Sequence, residues 1–291
     1  MSVSFVILNY NSYDLTEKLV RKITCFKNID EIVIVDNCST DDSAIHLKQL
    51  ISDKVILKIS ERNGGYSYGN NFGINLCKNA DIVFVSNPDV NIEYADLEKI
   101  INAFANSEYS LLSGIQFEID GTVGKPPILK RSKYIDDFVE CFYLGRLARK
   151  KREYEKIDIG NECILQVDMF RGSFFGIRKK DFCKVGGFDE NVFLYCEERI
   201  LSKRLENFGF KMGILLNARY DHMHSASINR VYSNRFKKMK LLYNSRMYYN
   251  IQYNKIGRVK EWLLFIAMQI SLIEFLVLDS IKGWGRSRNK L

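Results

Sequence analysis

Acidic and amide side chains occur at several points where an apolar run of the chain ends. Asp36 follows the run at residues 31–35, and Asp89 follows the run at 82–85 after a short turn. Asn9 and Asn11 come after the first apolar run, at residues 3–8. Asp after a strand is common turn chemistry. Several such residues brought together could instead bind a nucleotide and a divalent cation with oxygen ligands.

A glycine-rich segment begins at Asn63 and ends at Asn71. It is not a P-loop, because no Gly-Lys-Ser/Thr follows, and the spacing of a dinucleotide fingerprint is missing. Its glycines would let the backbone approach a sugar or a diphosphate closely. A simple tight turn explains the composition equally well.

Two adjacent carboxylates, Glu197 and Glu198, fall in the first turn of a helix predicted over residues 195–208. Acidic side chains at this position stabilise the helix dipole. A carboxylate held ionised there could also act as a general base toward an alcohol. The local sequence leaves both interpretations open.

Two histidines, His222 and His224, follow a short apolar strand predicted over residues 212–216. Alternate residues of an extended segment point to one face, so both rings could reach one metal ion. A pair of surface histidines is an equally good interpretation. A zinc enzyme is not supported, because neither an HExxH motif nor a third close ligand is present.

Strands and helices alternate through the first third of the chain. Apolar runs predict strands at residues 3–8, 31–35, 55–59 and 82–85, separated by helical patterns at 13–26 and 66–78 and after Thr40. Such strands form a parallel sheet with right-handed crossovers, and ligands bind beyond the carboxyl ends of its strands. We therefore expect the polar residues at these strand ends to meet at one edge of the sheet.

The rest of the chain predicts a less regular order of elements. Residues 94–106 and 110–117 predict a helix and a strand, and residues 146–152 an irregular basic stretch. Residues 163–178 predict paired β segments, and the chain from Arg230 onward predicts helices.

The composition indicates a globular cytoplasmic protein. The 291 residues are 46% hydrophobic and 27% charged, which suits one large α/β domain with an appendage and excludes a membrane bundle. The first residues enter a strand pattern directly, which argues against a secretory leader. The 7 cysteines are odd in number and contain no CxxC pair, so we expect reduced thiols.

The net charge of +8 is concentrated in the tail, where residues 229–291 carry 13 Lys and Arg against 3 Asp and Glu. Within this tail an apolar stretch at 262–278 is interrupted by Gln269, Ser271 and Glu274 and is too short for a comfortable membrane span. Flanking basic residues suit an interfacial helix on anionic lipid. A buried or oligomer-forming helix is the competing interpretation. We expect no nucleic-acid binding, because no recognised motif is present.

Seven ordered motifs resemble those of family 2 glycosyltransferases, particularly the rhamnosyltransferase-like branch. They are VSFVILNYN at 3–11, IVDNCSTDD at 34–42, ERNGGYSYGNN at 61–71, VSNPDV at 85–90, GSFFGIRK at 172–179, GGFDENVFLYCEE at 186–198 and HMHSAS at 222–227. The resemblance implies an α/β fold of the GT-A type, with a Rossmann-like, mostly parallel sheet and flanking helices. We assign residues 1–228 to this domain and residues 229–291 to a helical, basic segment for membrane association or oligomerisation.

The resemblance also implies roles for individual residues. The donor nucleotide would be held by Asn9, Asn11, Asp36, Asn63 and Asn71. Mg²⁺ or Mn²⁺ would be held by Asp89, which matches the last aspartate of a DxD motif, and by His222. The acceptor and the donor sugar would meet near Gly172, Ser173 and His224, and the catalytic base would be Glu198 with Glu197 beside it.

The sequence departs from the family pattern at three positions. Asn87 replaces the first Asp of DxD, and Ile200 occupies a position that is commonly acidic. Glu198 stands where Asp is usual, so the base could instead be Glu197.

The sequence therefore predicts inverting transfer of a sugar from a UDP- or dTDP-linked donor to a saccharide acceptor. The acceptor is expected to be lipid-linked, in bacterial surface polysaccharide synthesis at the inner face of the membrane, and a homo-oligomer is compatible with the tail. One alternative is a nucleotidyltransferase, which should carry a basic glycine-rich loop where Asn9-Tyr10-Asn11 stands. The other is a basic scaffold protein without catalysis, which should bind through the tail in a salt-sensitive way.

Overall fold

The computed structural model describes residues 1–118, 131–152, 163–223 and 234–288. The chain divides into two compact units, each built from two separate stretches of sequence. The first unit comprises Met1–Arg131 and Lys156–Val231, and the second comprises Ser132–Glu155 and Tyr232–Leu291. The second unit thus includes an internal stretch as well as the tail. The domain boundary expected between residues 228 and 229 stays a prediction.

The first unit begins with four parallel strands. The elements are β1 (Val3–Asn9), α1 (Tyr13–Thr24), β2 (Glu31–Asp36), α2 (Ser43–Leu47), a 3₁₀ turn (Lys48–Leu50), β3 (Val55–Ile59), α3 (Gly65–Leu76) and β4 (Ile82–Ser86). The strands lie in the order β3-β2-β1-β4, so β1 is flanked by β2 and β4. Asn9 pairs with Asp36 in register across β1 and β2. The carboxyl ends of these strands therefore share one edge, as the sequence predicts.

The sheet continues with strands of mixed direction. The following elements are β5 (Val90–Ile92), α4 (Tyr94–Ala105), β6 (Tyr109–Phe117), α5 (Tyr134–Val139), α6 (Tyr143–Arg152), β7 (Ile164–Gln166), β8 (Phe174–Arg178), α7 (Lys179–Lys184), α8 (Glu197–Asn207) and β9 (Lys211–His222). Strand β8 lies antiparallel between β4 and β6, and β9 is parallel to β6 and antiparallel to β5 and β7. The α/β class is confirmed.

Two expectations for the middle of the chain were wrong. The basic stretch at 146–152 is not irregular, since it forms most of helix α6. A basic residue of this helix also makes tertiary contacts, because Arg146 donates to Ser271 Oγ at 3.0 Å and to Glu274 Oε2 at 2.8 Å. The β segments at 163–178 do not pair with each other, because β7 pairs with β9 and β8 with β4 and β6.

Aromatic side chains fill one face of the sheet where parallel and antiparallel strands meet. Phe84 stacks between Phe5 and Phe174, with ring centroids 5.7 Å from each. Gly176 leaves room for this stack, because a Cβ there would lie 2.8 Å from the Phe84 ring. These contacts hold β8 against β4 and so fix where the chain preceding β8 can lie.

The second unit consists of α5, α6 and two tail helices, Arg235–Gln252 and Arg258–Arg288. Its core contains Cys141, Tyr243, Leu264, Ala267, Met268 and Leu272. A buried polar network joins Asp137 and Glu140 to the first tail helix through Arg246 and Asn250. In the described parts of the chain, none of the helices combines the length and apolar character needed to cross a bilayer.

Candidate active site

The ends of β1 and β2 form a closed polar network. Asn9 donates its side-chain amide to Asp36 Oδ1 at 2.7 Å, and both side chains are buried. Asp36 also accepts from Ser39, at 2.5 Å from the hydroxyl and 3.1 Å from the backbone N–H. The Oδ1 atom of Asn9 accepts from Thr16 at 2.7 Å. The orientations of Asn9 and Asp36 are thus fixed before any ligand binds.

Asn11 ties the loop after β1 to the loop after β2. It adopts a left-handed backbone conformation, with φ 51°, which asparagine tolerates better than most residues. Its side chain donates to Thr40 Oγ1 at 3.0 Å and accepts from the Thr40 N–H at 2.8 Å. The two loops therefore form one rigid wall at the carboxyl edge of the sheet.

Asn63 caps the glycine-rich segment from inside. Its Oδ1 atom accepts from Asn37 Nδ2 at 3.0 Å and from the Gly65 N–H at 3.1 Å. Gly65 has φ +85°, and a Cβ there would lie 2.0 Å from the Phe193 carbonyl oxygen. The glycine is therefore required both for the backbone conformation and for the close approach of the loop before α8.

Asn71 faces a different part of the first unit from the other predicted nucleotide residues. It donates to the Phe188 carbonyl at 3.0 Å and to Glu190 Oε1 at 2.8 Å, and it accepts from the Phe188 N–H at 3.0 Å. Arg204 donates to the Gly186 and Gly187 carbonyls of the same turn. Both ends of the Asn71 amide thus hold the turn at 186–190.

Asp89 and His222 meet where β5 and β9 run antiparallel. His222 pairs in register with Val90, and its Nε2 atom lies 3.1 Å from Asp89 Oδ1. Asp89 is 1% exposed, and its Oδ2 atom has no hydrogen-bond partner among the described residues. A buried carboxylate oxygen without a donor fits a cation ligand, since an uncompensated buried charge is costly.

The described residues contain no cluster of three or more His, Cys, Asp or Glu side chains arranged around a metal position. The Asp89–His222 pair therefore offers two protein ligands, which suits a cation whose other ligands come from a diphosphate and water. His224, predicted near the acceptor, lies outside the described residues. Asn87, at the first position of the DxD-like motif, is half-buried.

The turn that carries Asp89 is joined to the start of β8. The Asn87 N–H donates to the Ser173 carbonyl at 2.8 Å. The Ser173 hydroxyl lies 3.1 Å from Gln116 Oε1 and 3.0 Å from the Tyr220 hydroxyl, which itself donates to Gln116 at 3.1 Å. Burial raises the pKa of Tyr220 to about 12, so its hydroxyl remains a donor.

Gly172 lies directly against the carboxylate of Glu198. Its N–H donates to Glu198 Oε1 at 3.3 Å, and a Cβ there would lie 2.7 Å from that oxygen. The Tyr66 hydroxyl donates to the Gly172 carbonyl at 2.6 Å. Burial, with the charges of Glu198 and Glu197, raises the pKa of Tyr66 well above its ordinary value. Tyr66 therefore positions the peptide that holds Glu198.

Glu197 and Glu198 have different surroundings despite their adjacency. Glu197 is 5% exposed, and its Oε2 atom has no hydrogen-bond partner in the described part of the chain. Burial and the neighbouring Glu198 charge raise the pKa of Glu197 well above its ordinary value. Burial also raises the pKa of Glu198, opposed by backbone hydrogen bonds and by Arg199 and Arg171.

The two residues before α8 are in the left-handed region, with φ 70° at Tyr195 and 67° at Cys196. Two consecutive side-chain-bearing residues in this region are costly, and such strain often occurs at functional sites. The strained pair determines where α8 starts and so how its first-turn carboxylates are presented.

Sequence reasoning missed Tyr66, Gln116 and Tyr220 as site residues. Gln116 could have been found, because it is a polar residue at the end of the strand predicted over 110–117. Tyr220 gave no signal, because β9 extends to His222 and the apolar pattern predicts a strand only to residue 216. Tyr66 lay inside the glycine-rich segment but needs the fold to reach Gly172.

Comparison with known proteins identifies related chains. The sequence signature described as Glycosyl transferase family 2 matches residues 4–185. The rhamnosyltransferase WbbL of Escherichia coli (strain K12) is 26% identical over 217 residues, which cover 72% of this chain and 79% of WbbL. The low-salt glycan biosynthesis hexosyltransferase Agl10 of Haloferax volcanii is 28% identical over 201 residues, covering 67% of this chain but only 59% of Agl10.

A solved structure shares the architecture over nearly the whole chain. The mannosyltransferase PcManGT from Pyrobaculum calidifontis, in complex with GDP-Man and Mn²⁺, superposes with a TM-score of 0.59. The match has 12% sequence identity and covers 99% of this chain and 80% of that one. At this identity the likeness shows the fold, and the GT-A expectation is confirmed.

Proposed function

Because this chain belongs to glycosyltransferase family 2, we propose that it transfers a sugar from a nucleotide-sugar donor to a saccharide hydroxyl with inversion at the anomeric carbon. The observation that carries the proposal is the joining of two sites by short contacts. The Asp89–His222 pair is linked through the hydrogen bond from Asn87 to Ser173, and Gly172, next to Ser173, contacts Glu198. The proposed cation ligands and the proposed base are thus held near each other. The turn that carries Asp89 holds the first, and the residues just before β8 hold the second.

The donor nucleotide binds at the wall formed by the loops after β1 and β2. Asn11 lies toward the base and ribose, the buried Asn9 and Asp36 hold the wall in place behind it, and Asn63 lies at the start of the segment that would approach the diphosphate. The fixed hydrogen bonds of these side chains support the assignment, since a pre-organised polar wall needs little reordering on binding. Asn71 acts indirectly, by holding the turn at 186–190.

Asp89 and His222 are the residues that would hold Mg²⁺ or Mn²⁺, which when bound supplies positive charge for the departing diphosphate. The unpartnered Oδ2 atom of Asp89 supports this assignment. His222 also orients Asp89 through the 3.1 Å contact. Both side chains are buried, so water competes little for them.

Glu198 is the base. Its half-buried carboxylate contacts the Gly172 N–H, whereas Glu197 is buried. In the reaction the acceptor oxygen forms a bond to the anomeric carbon as the bond from that carbon to the diphosphate breaks. The acceptor proton passes to a Glu198 oxygen, and the nucleoside diphosphate leaves. The raised pKa of Glu198 strengthens it as a proton acceptor.

The donor is a dTDP- or UDP-linked hexose or deoxyhexose such as rhamnose, and the acceptor is a lipid-linked saccharide of a bacterial surface polysaccharide. The similarity to WbbL and Agl10 supports the sugar class. The protein works in the cytoplasm, bound peripherally at the inner membrane face. The exposed apolar residues of the second tail helix, Trp262, Phe265 and Ile273, support this placement.

The experiment that tests this function is a transfer assay with a panel of dTDP-, UDP- and GDP-linked sugars and a lipid-linked acceptor. Proton NMR of the product reads the configuration at the new anomeric centre. We expect transfer from one donor class with inverted configuration. A product of retained configuration would refute the single-base displacement. Transfer from none of the donors, or hydrolysis of the donor in place of transfer, would refute the proposed function.

A further inference from the structure

An open groove in the second unit is lined by basic side chains. It has a volume of about 560 Å³ and lies where the first tail helix ends and the second begins. Four of its lining residues are Lys133, Lys255, Arg258 and Lys260, and none of its lining residues is acidic. The groove therefore presents concentrated positive charge.

The four cations are not neutralised by the part of the protein that the structure describes. None of them forms an ion pair with a described carboxylate, whereas Arg146 and Arg246 of the same unit do. Lys260 instead lies 5.6 Å from the ring centre of Tyr134, which lines the same groove. The charges are thus available to a ligand.

The groove backbone is also strained at one basic residue. Lys255 has φ 49°, in the left-handed region that side-chain-bearing residues rarely adopt. Gly257 lies two residues later and has open space around it. The left-handed conformation is thus adopted by a lysine although a glycine lies close by. The conformation keeps a cationic side chain on the groove at some cost in stability.

Apolar side chains continue from the groove along the second tail helix. Val259 is 74% exposed and Trp262 is 62% exposed, and Phe265 and Ile273 are also exposed on this helix. A cationic groove followed by an exposed apolar surface that includes tryptophan is the pattern of a segment lying in a bilayer interface. Tryptophan in particular is enriched at the level of lipid head groups.

We propose that this groove binds the phosphate head groups of anionic bilayer lipids, with Val259 and Trp262 entering the interfacial region beside it. The inference rests on the peripheral membrane placement in the proposed function and assigns it a specific site. Charge complementarity selects the occupant, because four cations without an anionic neighbour in the groove match a phosphate-rich surface. Lys133 adds a positive charge to the groove from outside the tail, so the composition of the tail alone does not account for the charge of this site.

The test compares two triple variants of the full chain that lose the same charge. The groove variant is K255Q/R258Q/K260Q, and the control is R235Q/K237Q/K240Q on the first tail helix, where all three residues are exposed. Binding to vesicles of phosphatidylcholine alone, and of phosphatidylcholine with phosphatidylglycerol, is measured by sedimentation at constant ionic strength. The single variant K133Q is measured in the same way.

Each groove cation should strengthen binding about five-fold, so the groove variant should bind anionic vesicles about 100-fold more weakly than wild type. The control variant should lose about ten-fold or less, because its charges act only through the general field. K133Q should weaken binding, and addition of inorganic phosphate at matched ionic strength should not release the wild-type protein. Transfer to a water-soluble acceptor should be unchanged in all variants.

Equal losses in the groove and control variants would overturn the site while leaving membrane association intact. Release by inorganic phosphate at matched ionic strength would show a site for free phosphate rather than for bilayer lipid, and would also overturn it. Failure of the wild-type protein to bind either vesicle would refute the membrane placement itself. If the wild-type protein is a dimer and the groove variant is a monomer, the groove instead binds a second copy of the chain, and the lipid site is overturned. Circular dichroism and thermal unfolding of the same samples verify that each compared variant is folded.

Discussion

At the scale of single residues, the site depends on carboxylates that the fold keeps partly or wholly out of water. Asp89 and Glu197 are both buried, each with one oxygen that has no hydrogen-bond partner among the described residues. Burying such groups costs stability. That cost is reasonable if Asp89 meets a cation and Glu197 supports the electrostatics of a neighbouring base.

The two adjacent glutamates should respond differently to the same substitution. Glu198→Gln should lower kcat by about 100- to 10,000-fold, because a general base contributes about that much. Glu197→Gln should lower it less, because its carboxylate is buried. Steady-state kinetics of both variants, with the donor KM as a check on binding, makes the comparison. Wild-type rates in both variants would exclude this pair as the source of the base.

The Glu197 pKa also predicts how stability depends on pH. Because its folded-state pKa is raised above the unfolded value, the folded state keeps a proton that the unfolded state loses. Stability is therefore fully present below the unfolded pKa and falls as pH rises through the folded one. Glu197→Gln should raise the melting temperature at alkaline pH and leave it nearly unchanged in acid. If Glu197→Gln is less stable than wild type at alkaline pH, burial and the Glu198 charge do not raise the pKa of Glu197 in the way described.

At the scale of elements, the parallel half of the sheet could be predicted, because each of its strands is a short apolar run ending at a polar residue. Strand β3 occupies the predicted residues 55–59, and β1, β2 and β4 each extend one residue beyond theirs. Helix α6 could not be predicted, because its stability comes from contacts such as that of Arg146 with Glu274, 128 positions away. The pairing of β8 with β4 is equally long-range.

The turn at 186–190 provides a test of what Asn71 does. Asn71→Ala should lower the free energy of unfolding by about 1–3 kcal/mol, because it leaves the Phe188 backbone groups without their partners. Urea denaturation measures the change, and Asn75→Ala, an exposed amide of the same helix α3, serves as the control. Unchanged stability together with a raised donor KM would instead assign Asn71 to direct nucleotide contact.

Much of the candidate site could also be anticipated from strand ends and motif order. The structure brings Asn9 to Asp36, Asp89 to His222 and Gly172 to Glu198, each predicted as a site residue. The supporting groups could not be anticipated, since Tyr66 reaches Gly172 across 106 positions and Ser173 reaches Gln116 across 57. Sequence periodicity carries no information on such pairs.

At the scale of the whole molecule, the tail is part of a folded unit rather than a simple appendage. The second tail helix supplies Leu264, Ala267, Met268 and Leu272 to a core that also contains Cys141. Deleting the residues beyond Arg258 would therefore remove four of the six buried residues of this core. The function of the exposed face must be tested by substitutions that leave this core intact.

The exposed apolar face should contribute to membrane binding independently of charge. Trp262→Ser with Ile273→Ser should weaken binding to vesicles by about ten-fold per side chain, because each loses apolar burial in the interface. Ile45→Ser with Ile51→Ser is the matched control, since these residues of the first unit are exposed to a similar degree, 63% and 55%. Vesicle sedimentation of both double variants gives the comparison, and an equal effect of the two would contradict a specific face.

We propose that the carboxyl edge of the sheet binds a nucleotide sugar together with a divalent cation. Isothermal titration calorimetry of UDP, dTDP and GDP against the protein, with and without Mn²⁺, tests it most directly. Asp89→Asn is measured beside Asp221→Asn, whose carboxylate accepts from Asn91. We predict that one nucleotide binds tightly only with Mn²⁺, and that Asp89→Asn alone abolishes the gain. Absence of binding by any nucleotide to well-folded wild-type protein would contradict the account.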